Sequence, residues 1–479
     1  MSDPVPNPAA LLEQHCATEI AQKALEVNID RARYGTFSEI GAGQEVARWF
    51  FRVGGASGTV AKTISAYDMQ VSDAIYGACD RYVSRQRLIA MLEREFRLLT
   101  ERLGEARGAE SYFFAFADTV VATSYSRKGE AHGWLGIRFQ PAPNAEPSQV
   151  IIHARLLDAD NVQEQEVLGM LGVNLVYGAL YHWSQPEKIV AGLTDKISRE
   201  RLEVDLIEFS GPAFDGVDNR LMALQLVQQG LTDAAMFLAD GTVVQPGEVL
   251  YKKCLLVERG SFRPVTKASM DLLNCATAAF VQEPKVADHE VEVITEMTLF
   301  NLARTNDGID HQDFLERVDI LSALGKKVLI SNYGEFHRLA AYLFRYTKNM
   351  IGVAIGVPTL KEIFNEDYYS NLGGGILESF GRLFKNDLKL LVYPFKDPKT
   401  GALITAGNFR VESHLRHLYA YLVENHFIQG LRDFDEKCLP IFPKDVLEKI
   451  AANDASWEEM VPDSVARIIK ERKLFDYPG

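Results

Sequence analysis

The chain has 479 residues, and 65 acidic against 51 basic side chains give it a formal net charge of −14. A chain of this length forms two or three domains, and a composition with 47% hydrophobic and 24% charged residues is typical of a folded protein. The acidic balance argues against a broad nucleic-acid-binding face, which would require clustered Lys and Arg.

The spacing of the cysteines and the lengths of the apolar runs indicate the cellular compartment of the protein. Five cysteines are scattered along the chain without a CxxC pair, which fits a reducing environment and offers neither a disulfide framework nor a zinc knuckle. The first residues show no basic stretch followed by an apolar one, so no secretory signal is expected. No apolar run reaches the ~18 to 20 residues that a membrane helix requires. We therefore expect a cytoplasmic protein without a membrane or nucleic-acid partner.

Residues 1–200 predict a mixed α+β domain. The strands are predicted over 34–40, 111–121, 134–139 and 149–157, and the helices over 11–27, 44–51, 65–106, 161–181 and 186–198. Neighbouring strands without helices between them indicate an antiparallel or mixed sheet. The last part of the third helix, residues 85–106, is charged and amphipathic.

A Gly-rich stretch over residues 41–68 stands out within this domain. It contains a turn with the candidate anion-binding residues Gly54, Gly55, Ser57, Gly58 and Thr59, and Lys62 follows this turn. Glycines at this density let backbone N–H groups approach an anion, while Ser57, Thr59 and Lys62 can add hydroxyl and ammonium donors. The stretch predicts either a phosphate or nucleotide site or a pair of tight turns beside a buried helix.

Residues 201–410 predict an α/β domain. Short apolar strands alternate with longer helices over 291–394, a pattern typical of a parallel sheet covered on both faces. We assign the strand over 204–209 to the same domain, and we expect residues 411–479 to form a helical extension. The fold class is therefore α/β, with an N-terminal mixed α+β region followed by a largely parallel, helix-covered sheet.

Polar residues follow several of the predicted parallel strands. They are Glu296, Thr298, Asn301 and Arg304 after one strand, residues 331–333 after the next, and residues 356–359 after the third. Because the carboxyl ends of parallel strands share one edge of a sheet, these residues are expected to converge there. The alternative is that each is a local turn or helix cap.

A second Gly-rich turn leads into the predicted helix over 375–384. Gly373, Gly374 and Gly375 form the same kind of anion cradle at a helix start, with Arg382 about two helical turns further on. Lys396, after the last predicted strand, could join the same edge. The alternative is a connection whose glycines only let the chain turn.

The positions of the histidines in the sequence do not identify the catalytic residues. His414 and His417 share a helical face but have no acidic partner at ligand spacing, so no metal site is predicted. His132, His153 and His337 could each act as a general acid or base, and the sequence does not choose among them. The chain has no P-loop and no GxSxG nucleophile motif, and no cofactor is assigned.

Several segments resemble an uncharacterised bacterial family of similarly sized soluble proteins. They are SGPAFDGVDNRLMALQLVQQGLTDAAMF, YKKCLLVERGSFRPVT, NLGGGILESFGRLF and GAGQEVARWFFRVGGASGTVAKTISAYD. Some members carry the label nicotinamide-nucleotide adenylyltransferase, which would imply an HxGH-type motif that holds phosphates. No Gly-His dipeptide occurs in this chain. The resemblance therefore implies a shared fold and shared loops rather than a particular reaction.

Two functions remain open. The first is an enzyme acting on a phosphorylated or nucleotide-like small molecule by nucleotidyl or phosphoryl transfer, with the anion on residues 54–59 or 373–375. Lys62, Arg382 and Lys396 would then be its charge partners. The second is a self-assembling scaffold or regulatory protein without catalysis, built on the helix over 85–106 and the helical C-terminus. We expect a homo-oligomer.

Overall fold

A computed structural model describes residues 8–123, 131–305 and 308–479. The described chain is an α/β protein in which helices flank mixed sheets, so the predicted fold class is confirmed. It forms two compact units, Met1–Thr232 and Asp233–Gly479. Within the described residues, no helix is both long enough and apolar enough to cross a membrane.

The first unit contains one sheet flanked by helices. Its strands are β1 (Arg33–Gly41), β2 (Val60–Ser65), β3 (Tyr112–Val121), β4 (His132–Phe139), β5 (Ser148–Leu156) and β6 (Leu202–Ser210). Its helices are α1 (Pro8–Ile29), α2 (Glu45–Arg52), α3 (Met69–Tyr76), α4 (Arg85–Arg107), α5 (Asn161–Tyr181), α6 (Pro186–Gly192) and α7 (Asn219–Gln228).

In this sheet, the strand order among the described residues is β2-β1-β3-β4-β5-β6. β2, β1 and β3 are parallel, and each later neighbour is antiparallel. α5 packs closely on α2, since a Cβ at Gly172 would lie 2.4 Å from Val46 Cγ2. α4 packs on β3 and β4 through its buried apolar face.

The second unit contains the larger sheet. The strands of this unit are β7 (Ala234–Phe237), β8 (Val243–Val244), β9 (Cys254–Arg259), β10 (Val291–Thr298), β11 (Ala303–Thr305), β12 (Gly308–Ile309), β13 (Lys327–Ser331), β14 (Ile351–Gly356), β15 (Leu388–Tyr393), β16 (Phe395–Lys396), β17 (Leu403–Ile404) and β18 (Ile428–Gly430). Among the described residues, β11 pairs with β12 and β16 with β17 in two small antiparallel sheets apart from the larger one. Its helices are α8 (Pro246–Leu250), α9 (Lys267–Phe280), α10 (Leu299–Leu302), α11 (His311–Ala323), α12 (Phe336–Tyr346), α13 (Val357–Ile363), α14 (Gly375–Leu383), α15 (Arg416–Glu424), α16 (Pro443–Ala451) and α17 (Asp463–Arg472).

The order of this sheet in the described residues is β18-β15-β14-β9-β10-β13-β7-β8. The strands from β18 to β13 are parallel, and β7 and β8 are antiparallel additions. The alternation of strands and helices predicted over 291–394 is therefore confirmed. After β9 the chain adds β10 and then β13 on one side of β9, and it then adds β14 on the other side of β9. Ligands of such sheets bind at the carboxyl edge near this reversal.

The division into units differs from the boundaries drawn on the sequence after residues 200 and 410. The strand predicted over 204–209 is β6, which pairs antiparallel with β5 in the first sheet. The region 411–479 contributes β18 to the second sheet, beside β15. An apolar run predicts a strand, but the partner of that strand depends on contacts distant in the sequence.

Candidate functional site

The 54–59 turn, which follows α2, is built into the first unit. Gly54 and Gly55 have φ angles of 82° and 77°, which L side chains rarely adopt. Asn28, at the end of α1, donates from Nδ2 to the backbone oxygens of Phe50 and Gly54, at 2.7 Å each. These glycines let the chain turn back against α1.

The donors predicted to hold an anion in this turn have partners within the chain. Thr59 is fully buried, and its Oγ1 donates to the last turn of α1 at 3.0 Å. The backbone N–H of Gly58 donates within the turn at 3.1 Å, and Lys62 is ion-paired with Glu95. Ser57 is exposed. An anion would have to replace most of these bonds, so its binding here stays a prediction.

The 373–375 turn of the second unit holds a carboxylate. The Gly374 N–H donates to Glu378 Oε2 at 2.8 Å, and Arg382 Nη2 donates to Oε1 of the same residue at 2.5 Å. The Gly374 hydrogen bond and the charge of Arg382 lower the Glu378 pKa. Gly375 has a φ of 55°, and the space beside Gly373 is open. One N–H of the predicted cradle, that of Gly374, thus contacts the chain's own Glu378 carboxylate, while the Gly375 N–H donates to the backbone oxygen of Leu372 at 3.0 Å. Binding of an anion from solution at this turn stays a prediction.

A buried chain of polar groups begins at the next residue of α14. Ser379 Oγ lies 3.1 Å from Nδ1 of His337, in the first turn of α12, and both residues are buried. Tyr369 donates its hydroxyl hydrogen to the backbone oxygen of Ile363 at 2.8 Å. Burial raises the pKa of Tyr369 to about 12, and a hydrogen bond from Ser379 opposes that rise. The chain runs from Tyr369 through Ser379 to His337.

One arrangement of the hydrogens satisfies these contacts together. When Tyr369 gives its hydrogen to the backbone, Ser379 can donate to Tyr369 and accept from His337. In that arrangement Nδ1 of His337 carries the hydrogen, and Nε2 carries the lone pair. Burial lowers the pKa of His337 below its usual 6.5, which keeps the imidazole neutral at neutral pH. A neutral imidazole with a defined lone pair suits a general base.

Charged side chains of both signs surround His337. Burial apart, its pKa responds to the charges of Glu335, Arg382, Arg338 and Glu378. Arg382 and Arg338 are more than 45% exposed at the side chain, so both can reach a ligand in solvent. No group of three His, Cys, Asp or Glu suited to a metal ion occurs among the residues that the structure describes. The site thus combines anion donors with one proton acceptor.

Polar groups from two of the three predicted strand ends, those of β10 and β13, meet at the carboxyl edge of the sheet, together with Arg259 of β9. Convergence of residues 356–359 with them stays a prediction. The fully buried Glu296 accepts from Arg259 at 2.7 and 2.9 Å and from Ser331 Oγ at 2.6 Å. Arg259 also donates to the backbone oxygen of Gly334 at 2.8 Å, just before α12. This network anchors the segment that presents His337. The Arg304 side chain lies outside the described residues.

Sequence reasoning identified the turn and Arg382 but missed Glu378, Ser379 and Tyr369. Glu378 and Ser379 lie four residues after Gly374 and Gly375, the spacing at which helical side chains fold back over a helix start. That spacing could have indicated them. Lys396, predicted to join the site, is exposed in the β16–β17 hairpin.

No family model and no curated protein matches this chain. Solved structures of the competence/damage-inducible (CinA) superfamily match a part of it. The competence/damage-inducible protein CihA from Agrobacterium tumefaciens is 17% identical over 33% of this chain and 93% of its own, with a TM-score of 0.24. A CinA superfamily protein from Klebsiella pneumoniae is 12% identical over 35% and 99%, with a TM-score of 0.27. One from Escherichia coli is 11% identical over 36% and 92%, with a TM-score of 0.24.

Proposed function

We propose that the protein is an enzyme acting on a small phosphorylated molecule, of the nucleotide or sugar-phosphate class, by phosphoryl or nucleotidyl transfer. The carrying observation is that the 373–375 turn and Arg382 already hold a carboxylate beside His337. A phosphate group offers the same donors more acceptor oxygens and more charge than a carboxylate does. It would replace Glu378 on the Gly374 N–H and on Arg382.

The start of α14 favours an anion for two physical reasons. Its first N–H groups lack partners within the helix, and the helix dipole places partial positive charge there. Arg382 then supplies a guanidinium, which binds phosphate oxygens in a forked geometry. Arg338, on the neighbouring α12, is the second exposed cation near His337.

His337 would accept the proton in the transfer step. The nucleophile is a hydroxyl group or a water molecule, and its proton moves to Nε2 of His337 as its oxygen bonds to the phosphorus. The bond between the phosphorus and the leaving oxygen breaks at the same time, and that oxygen departs with the bonding electron pair as an alkoxide or a phosphate and takes up a proton from water. Ser379 and Tyr369 hold the Nδ1–H tautomer and so keep Nε2 in the accepting state. His337 acts as the base, and Arg382 and the Gly374 N–H neutralise charge on the phosphate oxygens.

Calorimetric titration with inorganic phosphate, AMP and glucose 6-phosphate tests the anion site. We expect Arg382→Gln to weaken binding about 10-fold or more, since a hydrogen bond to a charged group contributes ~1.5–3 kcal/mol. Glu378→Gln should tighten binding by a similar factor, because it removes the charge that competes for the same donors. Lys385→Gln, just beyond the end of α14, changes the net charge as Arg382→Gln does and should leave affinity unchanged.

Opposite responses to Arg382→Gln and Glu378→Gln distinguish competition at one site from a general charge effect. A general charge effect would change the affinities of the Arg382→Gln and Lys385→Gln variants by the same factor. Absence of binding by all three probes, in the wild type and in Glu378→Gln, would contradict the proposal.

The self-assembly hypothesis relied on the helix over 85–106 and on the helical C-terminus. In the structure this helix is α4, whose apolar residues are buried against β3 and β4. Its apolar face therefore serves the first unit itself. A homo-oligomer remains a prediction, and light scattering from the purified protein measures it directly.

A further inference from the structure

Two carboxyl groups lie side by side in the first sheet, where the chain passes from β1 into α2. Glu39 and Asp118 occupy paired positions on the parallel strands β1 and β3, so their side chains lie on the same face of the sheet. They are only 2% and 0% exposed. Among the described residues, no cation forms an ion pair with either carboxyl group. The pair is therefore buried without a counterion.

The backbone segment 41–44 covers this pair. Gly43 lies directly against Asp118, since a Cβ there would be 1.7 Å from Oδ1. Gly41 has a φ of 81°, which L side chains rarely adopt, and a Cβ there would lie 2.0 Å from the backbone oxygen of Val120. Glycine at both positions lets the segment come this close to β3. The 41–44 segment thus separates the Asp118 carboxyl group from solvent.

The first turn of α2 depends on Glu39. The N-cap residue of this helix, Gln44, makes no side-chain hydrogen bond to the helix start. The N–H of Ala47 donates instead to Glu39 Oε1 at 3.2 Å, and the Gln44 side chain donates to Ser65 of β2 at 3.0 Å. The protonation state of Glu39 is therefore linked to the start of α2 as well as to the 41–44 segment.

The backbone hydrogen bonds that hold this segment are long. The N–H of Ala42 lies 3.3 Å from the oxygen of Val120, and that of Val46 lies 3.3 Å from the oxygen of Gly43. The usual distance is about 2.9–3.0 Å. Strand β3, in contrast, is paired with a neighbour on both sides. Displacing the 41–44 segment therefore costs less free energy than unfolding the sheet.

Burial makes a charge on this pair unfavourable. It raises the pKa of Glu39 from 4.5 to about 7, and it raises the pKa of Asp118 well above its usual value. The charge of Glu39 raises the pKa of Asp118 further, and the backbone N–H of Ile40 opposes these effects only in part. Above pH 7 the closed segment would hold a charged Glu39 without a cation. Water admitted by an open segment would solvate that charge.

The groups on the surrounding elements do not supply a cation. On α2, Glu45 raises the pKa of Glu39, and Arg48 is paired with Glu45 at 2.7 Å. At the start of α5, which packs on α2, Glu164 is a further acid and accepts hydrogen bonds from the chain after β3. The residues opposite the pair on the neighbouring strands are the uncharged Ser65 on β2 and Leu135 on β4.

We propose that the Glu39–Asp118 pair is a pH-sensitive latch for the 41–44 segment. The segment stays closed while the pair is protonated, and it opens together with the first turn of α2 when the pair becomes charged. Opening admits water to the carboxyl ends of β1 and β3 and leaves the rest of the first sheet paired. The latch is independent of the proposed site at α14.

Hydrogen exchange of the full-length protein, followed by mass spectrometry between pH 5 and 8, tests the latch. Each rate is divided by the intrinsic exchange rate at that pH. We expect the protection of peptide 42–51 to fall on the order of 10-fold between pH 6 and 8. The closed form binds a proton on Glu39 with a pKa of about 7 and the open form with one near 4.5, so a rising pH favours the open form.

Urea at 1 M separates local opening from unfolding of the whole unit. Unfolding exposes much surface and is promoted by urea, whereas a local opening exposes little. At pH 8, peptides from β4 and β5 should exchange faster in urea, and peptide 42–51 should not. Acceleration of all these peptides by the same factor would overturn the latch, as would a wild-type protection of 42–51 that does not change with pH.

Glu39→Gln removes the charge and keeps an oxygen that can accept from the Ala47 N–H. Its 42–51 protection should stay constant between pH 6 and 8. Glu101→Gln makes the same chemical change at a 60% exposed side chain on α4, and it should keep the wild-type pH dependence. A folded Glu39→Gln protein with the wild-type pH dependence would contradict the proposal.

Discussion

At the scale of single residues, two carboxyl groups in the first unit lie together, and no cation among the described residues forms an ion pair with either. Glu39 and Asp118 are opposite one another on the parallel strands β1 and β3, and they are 2% and 0% exposed. Burial raises the pKa of Glu39 to about 7 and that of Asp118 well above its usual value. Neither oxygen of Asp118 has a hydrogen bond of ordinary geometry among the described residues, and the nearby backbone N–H of Ile40 only partly opposes the effect of burial on its pKa. Gly43 closes over it, since a Cβ there would lie 1.7 Å from Asp118 Oδ1.

This pair makes the first unit less stable as the pH rises. The folded state binds protons on these carboxyl groups up to a higher pH than the unfolded state, whose Glu pKa is about 4.5. The stabilisation is therefore complete below pH 4.5 and is lost between there and about pH 7. We expect a loss on the order of 3 kcal/mol for one such group. Asp118→Asn should raise stability at pH 8 and flatten this dependence.

Urea unfolding at pH 5, 6, 7 and 8 measures the effect. Asp160→Asn, at the exposed N-cap of α5, is a control that removes a carboxylate of ordinary surroundings. An Asp118→Asn protein with the wild-type slope between pH 5 and 8 would refute the assignment.

At the scale of elements, two Gly-rich turns with similar sequences have different partners. The 54–59 turn is tied to α1 through Asn28, whereas the 373–375 turn faces a partly exposed carboxylate and an exposed guanidinium. The glycines indicated both turns correctly as places where the chain bends. They did not indicate which donors remain for a ligand. That depends on Asn28 of α1 and Glu95 of α4, and both helices lie outside the turn in the sequence.

Asn28→Ala therefore tests the architectural role of the first turn. The substitution leaves two backbone oxygens without their donor, and we expect it to lower the free energy of unfolding by ~1–3 kcal/mol. The affinity for AMP, measured by calorimetry, should not change. Gln22→Ala, on the exposed face of α1, should change neither quantity by comparison.

The strands show the same limit of local information. Alternation of short apolar runs with helices was enough to predict the parallel sheet over 291–394, because a strand buried on both faces has a distinctive composition. β6 has a similar apolar run, yet it pairs antiparallel at the edge of the other sheet. The register of β6 against β5 could not be predicted either, since it depends on a bulge that shifts the pairing by one residue.

At the scale of the whole molecule, the two units have separate hydrophobic cores. Damage to one core should therefore be felt within its own unit. Glu296→Gln removes the charge that pairs with the buried Arg259. Breaking a buried ion pair by changing one partner costs ~3–5 kcal/mol.

Hydrogen exchange followed by mass spectrometry reads this out unit by unit. Peptides from β9, β10 and β13 should exchange faster in Glu296→Gln, and those from β3 to β5 should keep the wild-type rate. Glu290→Gln removes an exposed partner of Lys253 on the same sheet, and a cost below ~1 kcal/mol is expected. Equal acceleration in both units would show that they unfold as one.

The carboxylate of Glu378 on its own cradle has a consequence for selectivity. A tethered group competes at a high effective concentration, so a ligand must exceed a threshold before it can displace the tether. A bare inorganic anion offers few contacts beyond those Glu378 already makes. A larger molecule can add contacts to Arg338 and His337, and only the free energy of these added contacts would displace Glu378 from the turn. Glu378 would thus keep abundant small anions from binding, and the site would select a ligand by its size as well as its charge.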